Sequence, residues 1–131
     1  MRRISAAVLA ATVAAACGGS GSPAAPNVPA DTTPITISIR GIQGAQSFSP
    51  NPAAVPAGRM VIFKNNDSQV HRVRLTDGSV DTGDLQPGAS SQPLALGNVS
   101  KPYSCSLHPN MVGSLNSAAT PEPPACQPGY C

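Results

Sequence analysis

The sequence has little of the residues on which most folds and most enzymes depend. Of its 131 residues, 3% are aromatic, none is Trp and only two are His. A hydrophobic core must therefore be built from Val, Ile, Leu and Ala together with the two Phe. No stretch combines helical periodicity with helix caps. Pro and Gly are plentiful, at 15 and 12 residues, which favours turns and tails over helices.

Charged residues are also scarce, at 11% of the chain. Lys and Arg number 8 against 6 Asp and Glu, and two of the basic residues, Arg2 and Arg3, lie in a predicted export signal. Without that signal the chain has equal numbers of basic and acidic residues. A neutral chain lacks the basic surface that nucleic-acid binding requires, so we expect no nucleic-acid partner. The length is enough for one domain.

The first residues are typical of an export signal. Two Arg precede a short, Ala-rich apolar stretch that ends in small residues and is followed by Cys17. The stretch is too short for a membrane span and predicts a signal peptide over 1–16. The segment from Ala14 to Cys17 resembles a bacterial lipobox, although Ala14 stands where most lipoboxes have Leu. We expect lipidation of Cys17, with ordinary cleavage near Ala16 as the alternative. The protein would then be exported, periplasmic or at the cell surface, and membrane-anchored.

Composition divides the rest of the chain into a linker, a body and a tail. Residues 17–34 are rich in Gly, Ser and Pro and predict a disordered, flexible linker. Residues 35–118 contain short strand-like segments between Pro and Gly turns, which is typical of an all-β Greek-key β-sandwich. Residues 119–131 are Pro-rich and predicted to be disordered. In an oxidising compartment Cys126 and Cys131 of this tail would pair, and two unpaired thiols are the alternative.

Alternation of apolar and polar residues marks the strands of the body. Strands are predicted at 35–40, 59–64 and 69–75, with weaker candidates at 90–96, 101–105 and 113–118. Met60 lies within the second run, and we interpret it as a core residue. In the third run, His71 falls on the same face as Val73 and Leu75.

Three side chains that can bind a metal lie close together in residues 103–111, Tyr-Ser-Cys-Ser-Leu-His-Pro-Asn-Met. This stretch holds a thiol at Cys105, an imidazole at His108 and a thioether at Met111. A His₂Cys set with a long axial Met is the ligand arrangement of blue-copper electron-transfer sites. Such a site needs a second His, and the chain has one other, His71. A lone His on an apolar strand face is usually a satisfied interior residue, but its pairing with this loop favours ligation.

On these residues the sequence resembles the cupredoxins of the plastocyanin/azurin family. The segments that carry the resemblance are 48–52, 58–67, His71, 85–88 and 103–113, in the family's order. The two-residue gap before Met111 is most similar to the amicyanin-type loop. The resemblance covers about 35–118 and implies one type 1 copper per chain, with His71, Cys105, His108 and Met111 as its ligands. It also implies electron transfer through the His108 edge. In the family an Asn commonly follows the upstream His, whereas this chain has Arg72.

The sequence therefore predicts a monomeric electron carrier rather than an enzyme. It would shuttle single electrons between transient redox partners at the extracytoplasmic membrane surface, with no small-molecule substrate. A copper-binding or delivery module without redox turnover is the alternative, although such a module should offer further exposed Met or His. Copper oxidases and nitrite reductases need more than two His, and a dinuclear purple site needs a second Cys in the loop. A zinc site of His71, Cys105 and His108 is a further alternative, in which Met111 would have no role.

Overall fold

The computed structural model describes residues 31–96, 100–116 and 118–125, which form two three-stranded β-sheets. The strands are β1 (Ile35–Ile39), β2 (Phe48–Ser49), β3 (Val61–Asn65), β4 (Val73–Leu75), β5 (Pro102–Cys105) and β6 (Val112–Ser114). In this part of the chain a one-turn 3-10 helix, Gly44–Gln46, is the sole helix, and no helix is long and apolar enough to cross a membrane. The predicted all-β class is confirmed.

The first sheet has the strand order β2-β1-β3. β1 pairs antiparallel with β2 and parallel with β3, so that Ile37 lies beside Phe63. Both of these side chains are buried, as alternation predicts. The interpretation of Met60 as a core residue is wrong, because its side chain is 38% exposed. β3 begins one residue later, at Val61, which is buried, and alternation therefore turns Met60 outwards.

The second sheet has the order β4-β5-β6, with both pairings antiparallel. Cys105 at the end of β5 lies opposite Val73 at the start of β4. The strand predicted over 69–75 is interrupted, since His71 forms an isolated bridge with Leu85 and regular pairing starts at Val73. The candidate at 90–96 is likewise reduced to single bridges, at Ser90 and Leu94.

Three aromatic rings from both sheets form the centre of the core. Phe48, Phe63 and Tyr103 contact one another edge to face, with ring centroids 4.9–6.4 Å apart. Tyr103 also lies opposite Gly113 in the β5–β6 pairing. A Cβ atom on Gly113 would come within 2.4 Å of Tyr103 Cζ, so the ring occupies the space that a side chain would need. Only Gly fits there beneath the ring.

Both ends of the described chain contact the domain. At the N-terminal end, Arg59 binds the Asp31 carboxylate at 2.9 Å and donates from Nε to the Thr33 carbonyl at 2.7 Å. At the C-terminal end, the Thr120 and Ser114 hydroxyls are 2.8 Å apart. Pro123 lies against Gly44. These contacts extend beyond the predicted domain limits of 35 and 118. The predicted signal peptide, the lipidated Cys17 and the Cys126–Cys131 pair lie outside the described residues.

Replacing Gly113 with Ala should destabilise the domain strongly. We expect Gly113→Ala to lower the free energy of unfolding by about 3 kcal/mol, since the added methyl group overpacks the core against Tyr103. Gly78→Ala is the matched control. Gly78 has a φ of 73° but open space around it. Gly78→Ala should therefore lower the free energy of unfolding only through the strain of a positive φ, by about 1 kcal/mol. Urea unfolding of the metal-free variants measures both, and equal losses would contradict the assigned packing.

Candidate metal centre

Three potential metal ligands converge where β5 ends. Cys105 Sγ lies 3.8 Å from His71 Nδ1 and 3.6 Å from His108 Nδ1, and the two Nδ1 atoms are 3.2 Å apart. A point equidistant from three atoms so spaced lies about 2 Å from each, close to the roughly 2.0–2.3 Å of metal–nitrogen and metal–sulfur bonds. The three side chains therefore fit one soft or borderline ion without rearrangement. The structure brings together three of the four predicted ligands in this way.

The three potential ligands differ in their access to solvent. His71 and Cys105 are completely buried, whereas His108 is half-buried. Beside it Leu107 is exposed, at 41%. Partial burial, and then the neighbouring His71, lower the pKa of His108 from its ordinary value. A lowered pKa favours the neutral imidazole, which is the form that binds a metal. The centre thus has a closed side at His71 and a more open side at His108.

The connection between β5 and β6, residues 106–111, carries the predicted ligands His108 and Met111 and is called the ligand loop below. The Cys105 amide donates to the Met111 carbonyl at 3.0 Å, and the Met111 amide donates to the His108 carbonyl at 2.9 Å. These two bonds close the loop between Cys105 and Met111, with His108 inside it. Met111 is completely buried. Its role as the axial ligand expected from the sequence stays a prediction.

His71 is held in place from two directions. Its backbone exchanges a pair of hydrogen bonds with Leu85, at 3.1 and 2.7 Å. Its ring contacts Asp67, with Nε2 2.8 Å from Oδ2. This hydrogen bond, followed in strength by the amide of Ser68, holds the pKa of Asp67 below its ordinary value despite the effect of burial. Sequence reasoning missed Asp67, although a carboxylate four residues before a candidate His ligand is a usable signal.

The backbone of Arg72, rather than its side chain, contacts the centre. Its amide points at Cys105 Sγ across 3.4 Å, and its carbonyl accepts a 2.8 Å hydrogen bond from the Ser106 amide. An N–H directed at sulfur stabilises the thiolate form. The guanidinium forms a fork with Asp81, with both N–O distances at 2.8 Å. Arg72 stands where the cupredoxins commonly have Asn. Its main-chain amide and carbonyl connect the segment before β4 to Cys105 and Ser106.

The fork between Arg72 and Asp81 predicts a measurable pH effect. The hydrogen bond from Arg72 is the largest cause of a pKa of about 2 for Asp81, against an ordinary 3.8. Because the folded-state pKa is depressed, the contribution of this pair to stability is present above about pH 4 and is lost as the pH falls through about 2. Arg72→Ala should raise the Asp81 pKa towards 3.8 in an NMR titration. Its cost in stability should be small, because the pair is exposed to solvent.

Arg40→Ala is the control for that titration, because Arg40 has no ion pair among the residues that the structure describes. The Asp81 pKa should be unchanged in it. An Asp81 pKa that also stays near 2 in Arg72→Ala would show that the fork is not formed in solution.

Comparison with known proteins finds similar structures but no similar sequence families. No protein-family model matches the sequence, and no significantly similar curated protein is found. A purple cupredoxin from Nitrosopumilus maritimus is 25% identical, with a TM-score of 0.55, over 63% of this chain and 97% of that one. Mutants of amicyanin, one in the Cu(I) form and one oxidised, are 16% and 17% identical, with TM-scores of 0.51 and 0.52. Each match covers 63% of this chain and 79% of amicyanin. The chain has the cupredoxin fold, and the resemblance seen in the sequence is confirmed.

Proposed function

We propose that this chain, a cupredoxin in fold, is a type 1 copper protein that carries single electrons between redox partners. The observation that carries the proposal is the convergence of His71 Nδ1, Cys105 Sγ and His108 Nδ1 within 4.8 Å of one another. One thiolate and two imidazoles are the equatorial set of such centres. The purple cupredoxin and the Cu(I) amicyanin structure, to which the fold is similar, support the choice of metal.

Each residue of the centre has a separate role in this proposal. Cys105 would provide the thiolate, His71 and His108 the imidazoles, and Met111 a weak thioether donor. Bound copper supplies a one-electron couple between Cu(I) and Cu(II). Cys105 and His71 are buried on paired strand segments, which would keep these two ligands in place in either oxidation state. A site that does not rearrange would keep the barrier to electron transfer low.

His108 is the proposed point of electron entry and exit. It is the least buried of the three ligands, and exposed Leu107 and Pro109 flank it. A small apolar patch of this kind suits brief contact with a redox partner. The balanced charge of the exported chain gives little long-range steering, so docking should be short-lived.

The location of the carrier is also a proposal. It rests on the sequence of residues 1–34, in which an export signal, Cys17 and a Gly- and Pro-rich linker follow one another. A lipidated Cys17 would attach the domain to an extracytoplasmic membrane surface, and the linker would let it reach its partners.

A copper-delivery module and a zinc protein are the competing functions. Delivery calls for a second, exposed set of donors to pass the ion on. Within the described ranges, the sole cluster of at least three His, Cys, Asp or Glu ligands is the one at Cys105. Zinc would fit the same three atoms, and the two metals are distinguished by spectroscopy because Zn²⁺ has no redox chemistry.

The visible spectrum of residues 18–131 loaded with Cu(II) tests the function. We expect an intense thiolate-to-copper band that disappears on reduction and returns on oxidation. Cys105→Ala should abolish it. Ser104→Ala is the matched control, since Ser104 is adjacent in β5 and its hydroxyl makes no hydrogen bond within the described part of the chain, and it should keep the band.

Two results would refute the electron-carrier proposal. One is a colourless protein that binds zinc as tightly as copper. The other is pale copper binding that Cys105→Ala leaves unchanged, which would place the copper away from the thiol.

A further inference from the structure

We propose that Asp67 is a positioning residue of the metal centre. In this proposal its carboxylate holds the Nε2–H of His71, fixes the tautomer whose Nδ1 faces Cys105, and favours Cu(II) over Cu(I). The last of these effects rests on the proposed function, because it requires copper as the metal. The first two concern the metal-free protein and stand independently.

The two nitrogens of the buried His71 ring have different neighbours. Nε2 lies 2.8 Å from Asp67 Oδ2, while Nδ1 lies 3.2 Å from His108 Nδ1 and 3.8 Å from Cys105 Sγ. An ionised carboxylate can only accept a hydrogen bond, so the ring proton must be on Nε2. The Nδ1 lone pair then points into the cluster before any metal arrives. Asp67 thereby preorganises the ligand.

Asp67 is itself held by its surroundings. Its side chain is 18% exposed, and its Oδ1 accepts a 2.7 Å hydrogen bond from the Ser68 amide. The fully buried Asn65 accepts from the Asp67 amide at 2.9 Å and donates to the Leu85 carbonyl at 2.8 Å. Leu85 is the bridge partner of His71. One buried amide thus ties the segment that carries the carboxylate to the one that carries the imidazole.

The end of β1 lies beside the segment that carries the carboxylate. The Asn66 amide donates to the Ile39 carbonyl at 3.0 Å. A Cβ atom on Gly41 would be in ordinary van der Waals contact with Asp67 Oδ2, at 3.8 Å. The backbone next to Asp67 is therefore fixed to the first sheet. The contact itself joins a completely buried ring to a carboxylate that is 18% exposed, so it is not an exposed ion pair.

The charge of Asp67 should act differently on the two copper states. A carboxylate on Nε2–H increases the electron donation of the imidazole through Nδ1. The higher charge of Cu(II) gains more from such a donor, and from a nearby negative charge, than Cu(I) does. Outer partners of ligating His residues typically change metal affinity by about 10–100-fold. If removal of the charge weakens Cu(II) binding by about tenfold relative to Cu(I), the reduction potential rises by about 59 mV.

Three variants of the full-length chain separate position from charge. Asp67→Asn keeps an acceptor oxygen and removes the charge, whereas Asp67→Ala removes both. Asp84→Asn is the control, because it removes the same charge from an exposed carboxylate that lies 3.9 Å from Arg72.

The first measurement is ¹⁵N NMR of the histidine rings in the metal-free protein. The unaltered chain and Asp67→Asn should show His71 protonated at Nε2. Asp67→Ala should show a mixture of tautomers. If His71 carries its proton on Nδ1 in the unaltered chain, or if both variants leave Nε2–H fully populated, the positioning role is wrong.

The second measurement is the affinity for Cu(II) and for Cu(I), with the midpoint potential. Asp67→Asn should weaken Cu(II) about tenfold more than Cu(I), and Asp84→Asn should change the ratio less than twofold. Equal effects of the two variants, or no change in the ratio, would overturn the role in copper selectivity. If the protein binds only Zn²⁺, the proposed function fails, and the NMR result and the Zn²⁺ affinity of Asp67→Ala still decide the positioning role. If Asp67→Ala does not fold, the comparison of Asp67→Asn with Asp84→Asn decides.

Discussion

The backbone pairing around Cys105 is the constraint on which the rest of the structure depends. β5 lies between β4 and β6, and Cys105 ends it. On the β4 side, the amide of Arg72 faces the thiol, and His71 is the preceding residue. On the β6 side, the hydrogen bond from the Cys105 amide to the Met111 carbonyl closes the loop that carries His108. A single strand end therefore assembles the centre from parts of the chain more than thirty residues apart.

Burial of the ligands creates a problem that the surrounding hydrogen bonds solve. A buried imidazole or thiol without a partner is costly, and a ring free to turn would present the wrong nitrogen. Asp67 satisfies the outer nitrogen of His71, and Arg72 supplies an N–H to the sulfur. The inner faces of these groups are left directed at one another. An arrangement of that kind is favourable when an ion occupies the space between them, so metal binding should also stabilise the fold.

The sequence predicts the centre better than its surroundings. Alternation predicts His71 on an apolar face, and its side chain is buried although regular pairing begins only at Val73. The donor types of Cys105 and His108 indicate copper without any structure. The role of Asp67 could not be predicted, because it depends on how the segment after β3 packs against the end of β1. The exposure of Met60 was missed because one residue at a strand end decides which face a side chain takes. The contacts of the tail at Thr120 follow no periodic pattern and become visible only once β6 is placed.

The most direct test is a crystal structure of the copper-loaded protein, with anomalous scattering recorded on both sides of the copper absorption edge. The account predicts one copper peak within bonding distance of Cys105 Sγ and of the Nδ1 atoms of His71 and His108, with the Asp67 contact to Nε2 intact. Copper bound through Nε2 of His71, or at any position that excludes Cys105, would contradict it.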